Sequence, residues 1–360
     1  MPARRRIWCE TLPHDELVAP AVVRLLGRSG VAPIVAVWPD TTAPMIARIL
    51  ERFGEAGLRV TLWPMLADRD GRWVNAENVD AVAAFVLDRL DAVLRLGAPA
   101  PEAVAIDLEP AIERVSPARA ARRAGAREGK PSAPHGYALR PTDRRAFLHA
   151  KERLLALEAE LHARGVAISA AIVPSVLLDA PPNGGVGRPA SPAQTGWQEA
   201  LGTPVDGVAW DRVSVMLYAS ILEGWSGGVL RRQDVRSLLV TTSRAAAVRF
   251  GARAGVSLGL VGPGALKDEP LYRGPDELAD DVALVTASGV DELALFDLGG
   301  VVRSGDPSAW LEAFAARPAT SPLPEPTLRV RAVLATARAA GGVFGALGWL
   351  RNAAARAGNG

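Results

Sequence analysis

The chain has 360 residues, 49% hydrophobic and 22% charged, which is long and apolar enough for a sizeable core. A formal net charge of +2 gives no global electrostatic case for nucleic acid or membrane as a partner. The single cysteine, Cys9, excludes an internal disulfide and a cysteine-based zinc site. The four histidines (His14, His135, His149, His162) show no H-x-H or H-E-x-x-H spacing, so neither metal nor cofactor is expected.

The N-terminal MPARRRIWCETLPHDE is basic at its start but has no apolar stretch behind the arginines, which predicts no signal peptide and a cytoplasmic protein. Strand-like runs then alternate with helical ones. Arg6–Glu10 reads as the first strand, and a helix started or broken by Pro20 ends near Gly30. Pro33–Trp38 is a continuous apolar run, as in a buried parallel strand. Thr42 and Pro44 open a helix that Gly57 closes, and Arg59–Met65 is the third strand. From Asn78 to Leu96, Val79, Val82, Phe85, Val86, Leu90 and Val93 recur at helical spacing. Ala103–Pro110, reading AVAIDLEP, is the fourth strand.

A non-periodic insert, Ala111–Arg140, follows. It carries six arginines and Lys130 against Glu113 and Glu128. A solvated, partly helical excursion is expected there, with a lid or a contact for an acidic ligand as the alternative. Thr142 then caps a helix that closes at Gly165, and Val166–Pro174 is strand five. A Pro/Gly-rich loop, Asp179–Gly196, precedes strand six at Arg212–Tyr218 and a helix over Asp234–Gly251. Val256–Val261 is strand seven, Asp276–Gly289 a helix and Glu292–Leu298 strand eight, and Asp306-Pro307 opens another helix.

Strict alternation of this kind means parallel strands joined by crossover helices. Eight such units within residues 1–318 predict an α/β fold of the (β/α)8 TIM-barrel class. A doubly wound sheet would want a glycine-rich turn after strand one, where ETLPHDE stands. Residues 319–360 read as a Pro-rich linker and an apolar C-terminal helical extension, Ala332–Leu350. That run is about long enough to cross a bilayer, but Arg338 and four glycines lie inside it. A helix packed on the protein is expected, with contact to a membrane surface as the lesser alternative.

Barrel enzymes place their chemistry at the C-terminal strand ends. Those ends read Glu10; Trp38 and Asp40; Trp63; Asp107 and Glu109; Ser175; Met216 and Tyr218; Gly262 and Gly264; and Asp297. Residues two apart share a strand face, so Asp107 and Glu109 point together. Aromatic faces stack on pyranose rings and carboxylates bind hydroxyls, so the set suits a carbohydrate or other small-molecule ligand. Glu109 is the candidate general acid, because a carboxyl among apolar neighbours keeps its proton near neutral pH. Asp107 is placed to position substrate or to bond Glu109, the alternative being a salt bridge to Arg114 or Arg140. The Tyr218 hydroxyl is placed to assist, and Trp38, Trp63, Met216, Asp297, Glu10 and Asp40 to bind the ligand. Trp8, Trp210, Trp310 and Trp349 read as packing. Glycines at 262–264 and 299–300 open another alternative, a phosphorylated metabolite bound at that corner, although tight turns explain them equally and Asp297 would repel phosphate. The G-G-V-G at 184–187 lacks the strand–helix setting of a nucleotide loop.

AIDLEP, followed by VMLYAS and LALFDLGG, resembles the family-18 chitinase superfamily of (β/α)8 glycoside hydrolases. The family's D-x-x-D-x-D-x-E falls on Glu102, Ala105, Asp107 and Glu109, and its M-x-Y-D on Met216, Tyr218 and Ala219. The resemblance implies that Glu109 is the proton donor and that Asp107 holds the substrate's N-acetyl group. It also implies that the N-acetyl oxygen is the nucleophile, so that one strongly acidic residue suffices. Ala105 and Ala219 stand where the family has Asp, which implies a weaker proton relay and makes a non-catalytic sugar-binding barrel the alternative. Leu108-Glu109-Pro110 is also similar to the N-E-P of another retaining clan. That clan closes strand seven with a second Glu, whereas this strand ends in VGPG, so a two-glutamate mechanism is not expected.

Overall fold

Strand β1 (Arg4–Cys9) pairs in parallel with β2 (Ala32–Val37) on one side and with β8 (Glu292–Phe296) on the other, which closes the sheet. Between them run β3 (Thr61–Pro64), β4 (Ala103–Leu108), β5 (Ala167–Ile172), β6 (Arg212–Met216) and β7 (Ala254–Gly259), each hydrogen-bonded to the next in chain order. In this computed structural model the chain is therefore a (β/α)8 barrel, as the alternation predicts. The structure describes residues 4–112, 142–179, 196–224, 226, 228–264, 267, 269–316 and 322–357, with side chains as far as 342. The insert from residue 113 onward, its Arg114 and Arg140, and the G-G-V-G at 184–187 lie outside the described residues.

The helices form where the sequence supplies stops and starts. Pro20 opens the helix Pro20–Ser29, and Gly30, at φ 62°, closes it. Thr42 accepts from the Met45 N–H and opens Ala43–Glu55. The helix Arg144–Ala163 is capped by Asp143, whose side chain accepts from Arg145 N–H, and not by Thr142. Both residues are cap formers, and the one adjacent to the first turn makes the bond. Ile106 and Leu108 of β4 point outward and are fully buried against the helices, as are Ile7, Val213, Val215, Val256, Leu258, Leu293 and Leu295 on other strands.

The barrel interior is layered. At the N-terminal end Arg6 bonds Thr61 (2.6 Å), Glu102 (3.0 Å) and Glu292 (3.4 Å), and Arg212 also reaches both glutamates. Above this plug the Trp8 indole donates to Ser257 Oγ (3.0 Å), which is 2.9 Å from Ser214 Oγ. Trp8 and Trp63 meet edge to face, with centroids 4.7 Å apart, and Trp63 in turn meets Phe296 at 6.4 Å. The layer above these rings holds the acids.

The C-terminal helix starts at Leu328, earlier than Ala332, and runs to Ala357. Its first turn is tied down by Thr327 and Arg329, both bonded to Asp234, and the Trp197 indole donates to the Ala337 carbonyl (2.9 Å). Among the described residues no helix is long and apolar enough to cross a membrane.

Candidate active site

The backbone carrying Asp107 and Glu109 is pinned by the segment after β3, which folds back alongside β4. Val74 N–H donates to the Asp107 carbonyl (2.8 Å), Val74 bridges Leu108 as a short extension of the sheet, and Asn75 donates to the Glu109 carbonyl (3.3 Å). Asp107 is only 3% exposed, and its Oδ1 is buried without a hydrogen-bond partner. The Trp63 indole nitrogen is likewise buried and unpartnered; it favours the ionised aspartate but falls short of a hydrogen bond. Glu109 and Tyr218 are enclosed on most sides yet keep a partial opening to the surface. Tyr218 leans on Phe296, with centroids 5.7 Å apart.

The electrostatics follow from carboxyls gathered in little solvent. Burial lifts Glu109 from 4.5 to about 8, with the charge of Glu10 adding to the shift and Arg72 opposing it. Burial and then the charges of Glu109 and Glu10 push Asp107 well above the usual carboxylate range. Burial lifts Glu10 to about 7, opposed first by Arg72 and raised further by Asp297, Glu269 and Asp68. Burial, then Asp107, Glu109, Glu10 and Asp297, raise the Tyr218 hydroxyl, which stays protonated as a donor. The charges of Glu10, Asp107 and Glu109 thus bear on Tyr218, and all four residues stand at the C-terminal ends of their strands, the mouth of the barrel.

Arg72 organises the open side of that mouth. It follows Gly71 (φ 95°) and itself lies in the left-handed region (φ 56°), which turns its side chain inward. Its guanidinium bonds Glu10 at 2.6 Å and Asp68 at 2.7 Å, and lies over the Trp38 ring at 5.1 Å and Trp73 at 6.0 Å.

The remaining predicted site residues are spread more widely. Trp38 is half-buried against Arg72, and Met216 is buried in the barrel. Trp63 is 3% exposed, in the aromatic layer below the acids. Asp40 is exposed in the turn after β2. Asp297 is fully buried: Oδ2 accepts from Thr11 N–H and hydroxyl, and Oδ1 accepts from Gly300 N–H to cap the helix Leu298–Arg303. Its oxygens are committed to the protein. Gly262 (φ 147°) passes so close to Gly300 that a Cβ on it would fall 2.6 Å from Gly300 Cα, so close backbone contact accounts for glycine there. Gly300 N–H, being used by Asp297, is not offered to a phosphate. Glu102, aligned with the family's first acid, sits in the salt-bridge plug at the other end of the barrel. Ala105 is buried and Ala219 begins the helix Ala219–Gly224, so neither position carries a carboxylate.

Three contributors escape a reading of strand ends. Arg72 and Trp73 come from the segment after β3, where the R-D-G-R-W turn following a short strand was the available signal. Glu269 comes from the segment after β7, beyond the VGPG, and its charge is felt by Glu10. Among the described residues no group of three or more His, Cys, Asp or Glu is arranged to hold a metal ion.

No family model matches the chain, and no curated protein matches it by sequence. Solved structures share its fold. The GH5_18 protein from Streptomyces cattleya, solved in complex with Manb1-4GlcNAc, is 15% identical with a TM-score of 0.50, over 90% of this chain and 83% of that one. The PgaB (BpsB) glycoside hydrolase domain from Bordetella bronchiseptica is 10% identical with a TM-score of 0.49, over 88% and 100%. The catalytic domain of a hyperthermophilic chitinase from Pyrococcus furiosus is 10% identical with a TM-score of 0.46, over 87% and 95%. At 15% identity the likeness to the GH5_18 protein is one of fold.

Proposed function

We propose that the barrel mouth binds a carbohydrate and hydrolyses a glycosidic bond, with Glu109 as general acid. One observation carries the reading: Glu109 stands just past the C-terminal end of β4, beside further acids and partly open to the surface, where burial pushes its carboxyl up to about 8. A carboxylic acid held neutral near pH 7 is what protonation of a leaving oxygen requires. Asp107, more buried and also held above the usual carboxylate range, positions the substrate and stabilises developing positive charge as it ionises. The Tyr218 hydroxyl donates to a substrate oxygen. Trp38 offers a partly open ring for stacking, while Trp63, Met216 and Phe296 form the floor. The substrate class that goes with the expectation of a cytoplasmic protein is a short oligosaccharide or a cell-internal glycan.

Wild-type protein and Glu109→Gln assayed on a panel of glycosides test this. A loss of about 10²–10⁴ in rate is expected in the variant, and unchanged hydrolysis overturns the assignment. Ala105 and Ala219 favour a second reading, a barrel that binds sugar without turnover; it predicts glycan binding that survives Glu109→Gln and no hydrolysis by the wild type.

A further inference from the structure

Resting on the reading of Glu109 as general acid, we infer that Glu10 is the general base of a single-displacement hydrolysis, and that Arg72 is the positioning residue that orients it and favours its ionised form. Glu10 follows β1 on the same inward face as Arg6 and Trp8, and β1 stands three strands round from β4 in the closed ring of eight. The two glutamates therefore approach a ligand at the mouth from different walls, which lets an acid and a base address two sides of a sugar ring. Arg72 holds Glu10 Oε1 at 2.6 Å, while Oε2 receives no hydrogen bond from any described residue. One oxygen is anchored and the other is left to accept a proton from water.

The groups facing Glu10 come from every side. They are Arg72 and Asp68 from the segment after β3, Glu269 from the segment after β7, Asp297 at the end of β8, Asp107 and Glu109 from β4, and Tyr218 after β6. Arg72 is the single cation in this set, and it contacts Glu10 directly and Glu109 only through its field. That asymmetry gives the pair its polarity: the guanidinium against Glu10 favours the charge there and leaves the shared proton to Glu109. Arg72 is itself held by Asp68 and by the Trp38 and Trp73 rings, which leaves it little freedom to follow another acid.

The step balances with water as co-reactant. The glycosidic C–O bond breaks with its electron pair going to the leaving oxygen, which takes the proton of Glu109. A water oxygen forms the new C–O bond and its proton goes to Glu10 Oε2. Glu109 ends ionised and Glu10 protonated, and solvent exchange restores the pair.

The test uses the full chain and a glycoside that the wild type hydrolyses, with Glu10→Ala, Arg72→Gln, Arg72→Lys and Glu109→Gln alongside. Inverted anomeric configuration is expected in the product, read by proton NMR. Glu10→Ala should lose about 10²–10⁴ in kcat, with added azide restoring turnover. Arg72→Gln should move the acidic limb of the kcat/KM profile up by about one pH unit, and Arg72→Lys should restore it; a purely structural arginine would lower activity without moving the limb. Retained configuration, Glu10→Ala within fivefold of wild type, or an unmoved limb overturns the inference. Loss in Glu109→Gln but not in Glu10→Ala overturns it alone. Full activity in Glu109→Gln, or a wild type that turns over no glycoside, overturns the reading beneath it. Carbon-13 NMR of labelled glutamate carboxyls reads the ionisation order without turnover: Glu10 before Glu109 is expected, and the reverse order refutes the polarity.

Discussion

Replacing Glu109 with Gln should make the protein more stable, by an amount that grows as pH rises above about 4.5. Glu109 rises from 4.5 to about 8 because burial disfavours its charge and Glu10 adds to that penalty. Between those values the folded state holds a proton that the unfolded chain has released. Stability therefore falls as pH rises through that window, by about 1.4 kcal/mol per unit, and levels off above about 8. At pH 7 the ceiling is about 3 kcal/mol. Part of the Glu109 shift comes from the charge of Glu10, which itself keeps its proton up to about 7, so the gain expected from Gln is about 1–2 kcal/mol, or about 2–4 °C in Tm. Urea unfolding of wild type and variant from pH 4.5 to 8.5 measures it. The two curves should coincide at the acidic end and separate progressively toward pH 8, with equal m-values. A variant less stable than wild type at pH 8, or a difference independent of pH, would refute the electrostatic account of the mouth. A stabilised protein that has lost its chemistry is the expected sign of strain kept for function.

Other perturbations separate structural roles from functional ones. Asp297→Ala removes a helix cap and two bonds to Thr11, and should cost about 2–3 kcal/mol in urea denaturation. Arg6→Met leaves Glu102 and Glu292 facing Arg212 alone at the base of the barrel, and should cost about 3–5 kcal/mol by the same measurement. Trp38→Ala should weaken oligosaccharide binding about tenfold by calorimetry, equivalent to about 1.4 kcal/mol, with a change in unfolding free energy of about 1 kcal/mol or less, since the ring is half-buried against Arg72.

The barrel was legible because its signals are periodic. Apolar runs bounded by Pro, Gly and cap residues marked each strand within a few residues, and period-two alternation placed Asp107 and Glu109 on one inward face. What the sequence obscured depends on segments with no period. Arg72 enters the mouth through a left-handed backbone step after a glycine, and Glu269 from beyond the turn that ends β7, so neither lies at a strand end. Asp297 looked like a strand-end acid, but the strand stops at Phe296 and the aspartate becomes a cap, which uses up both oxygens. Glu102 matched a motif position, yet the six residues of β4 lie between it and Glu109, about 23 Å at the usual rise, so it belongs to the opposite end of the barrel. Motif spacing records position along a strand, and only the strand's direction through the barrel tells which end is the mouth.

The central claim, that Glu109 donates a proton to a departing sugar oxygen, is tested most directly by leaving-group dependence in Glu109→Gln. Paired glycosides of one sugar should be compared, one with a good phenolate leaving group such as dinitrophenolate and one with an alkoxide that needs protonation. The account predicts that the variant keeps most of its rate on the first and loses about 10²–10⁴ on the second. Equal losses on both, or none on either, would contradict it.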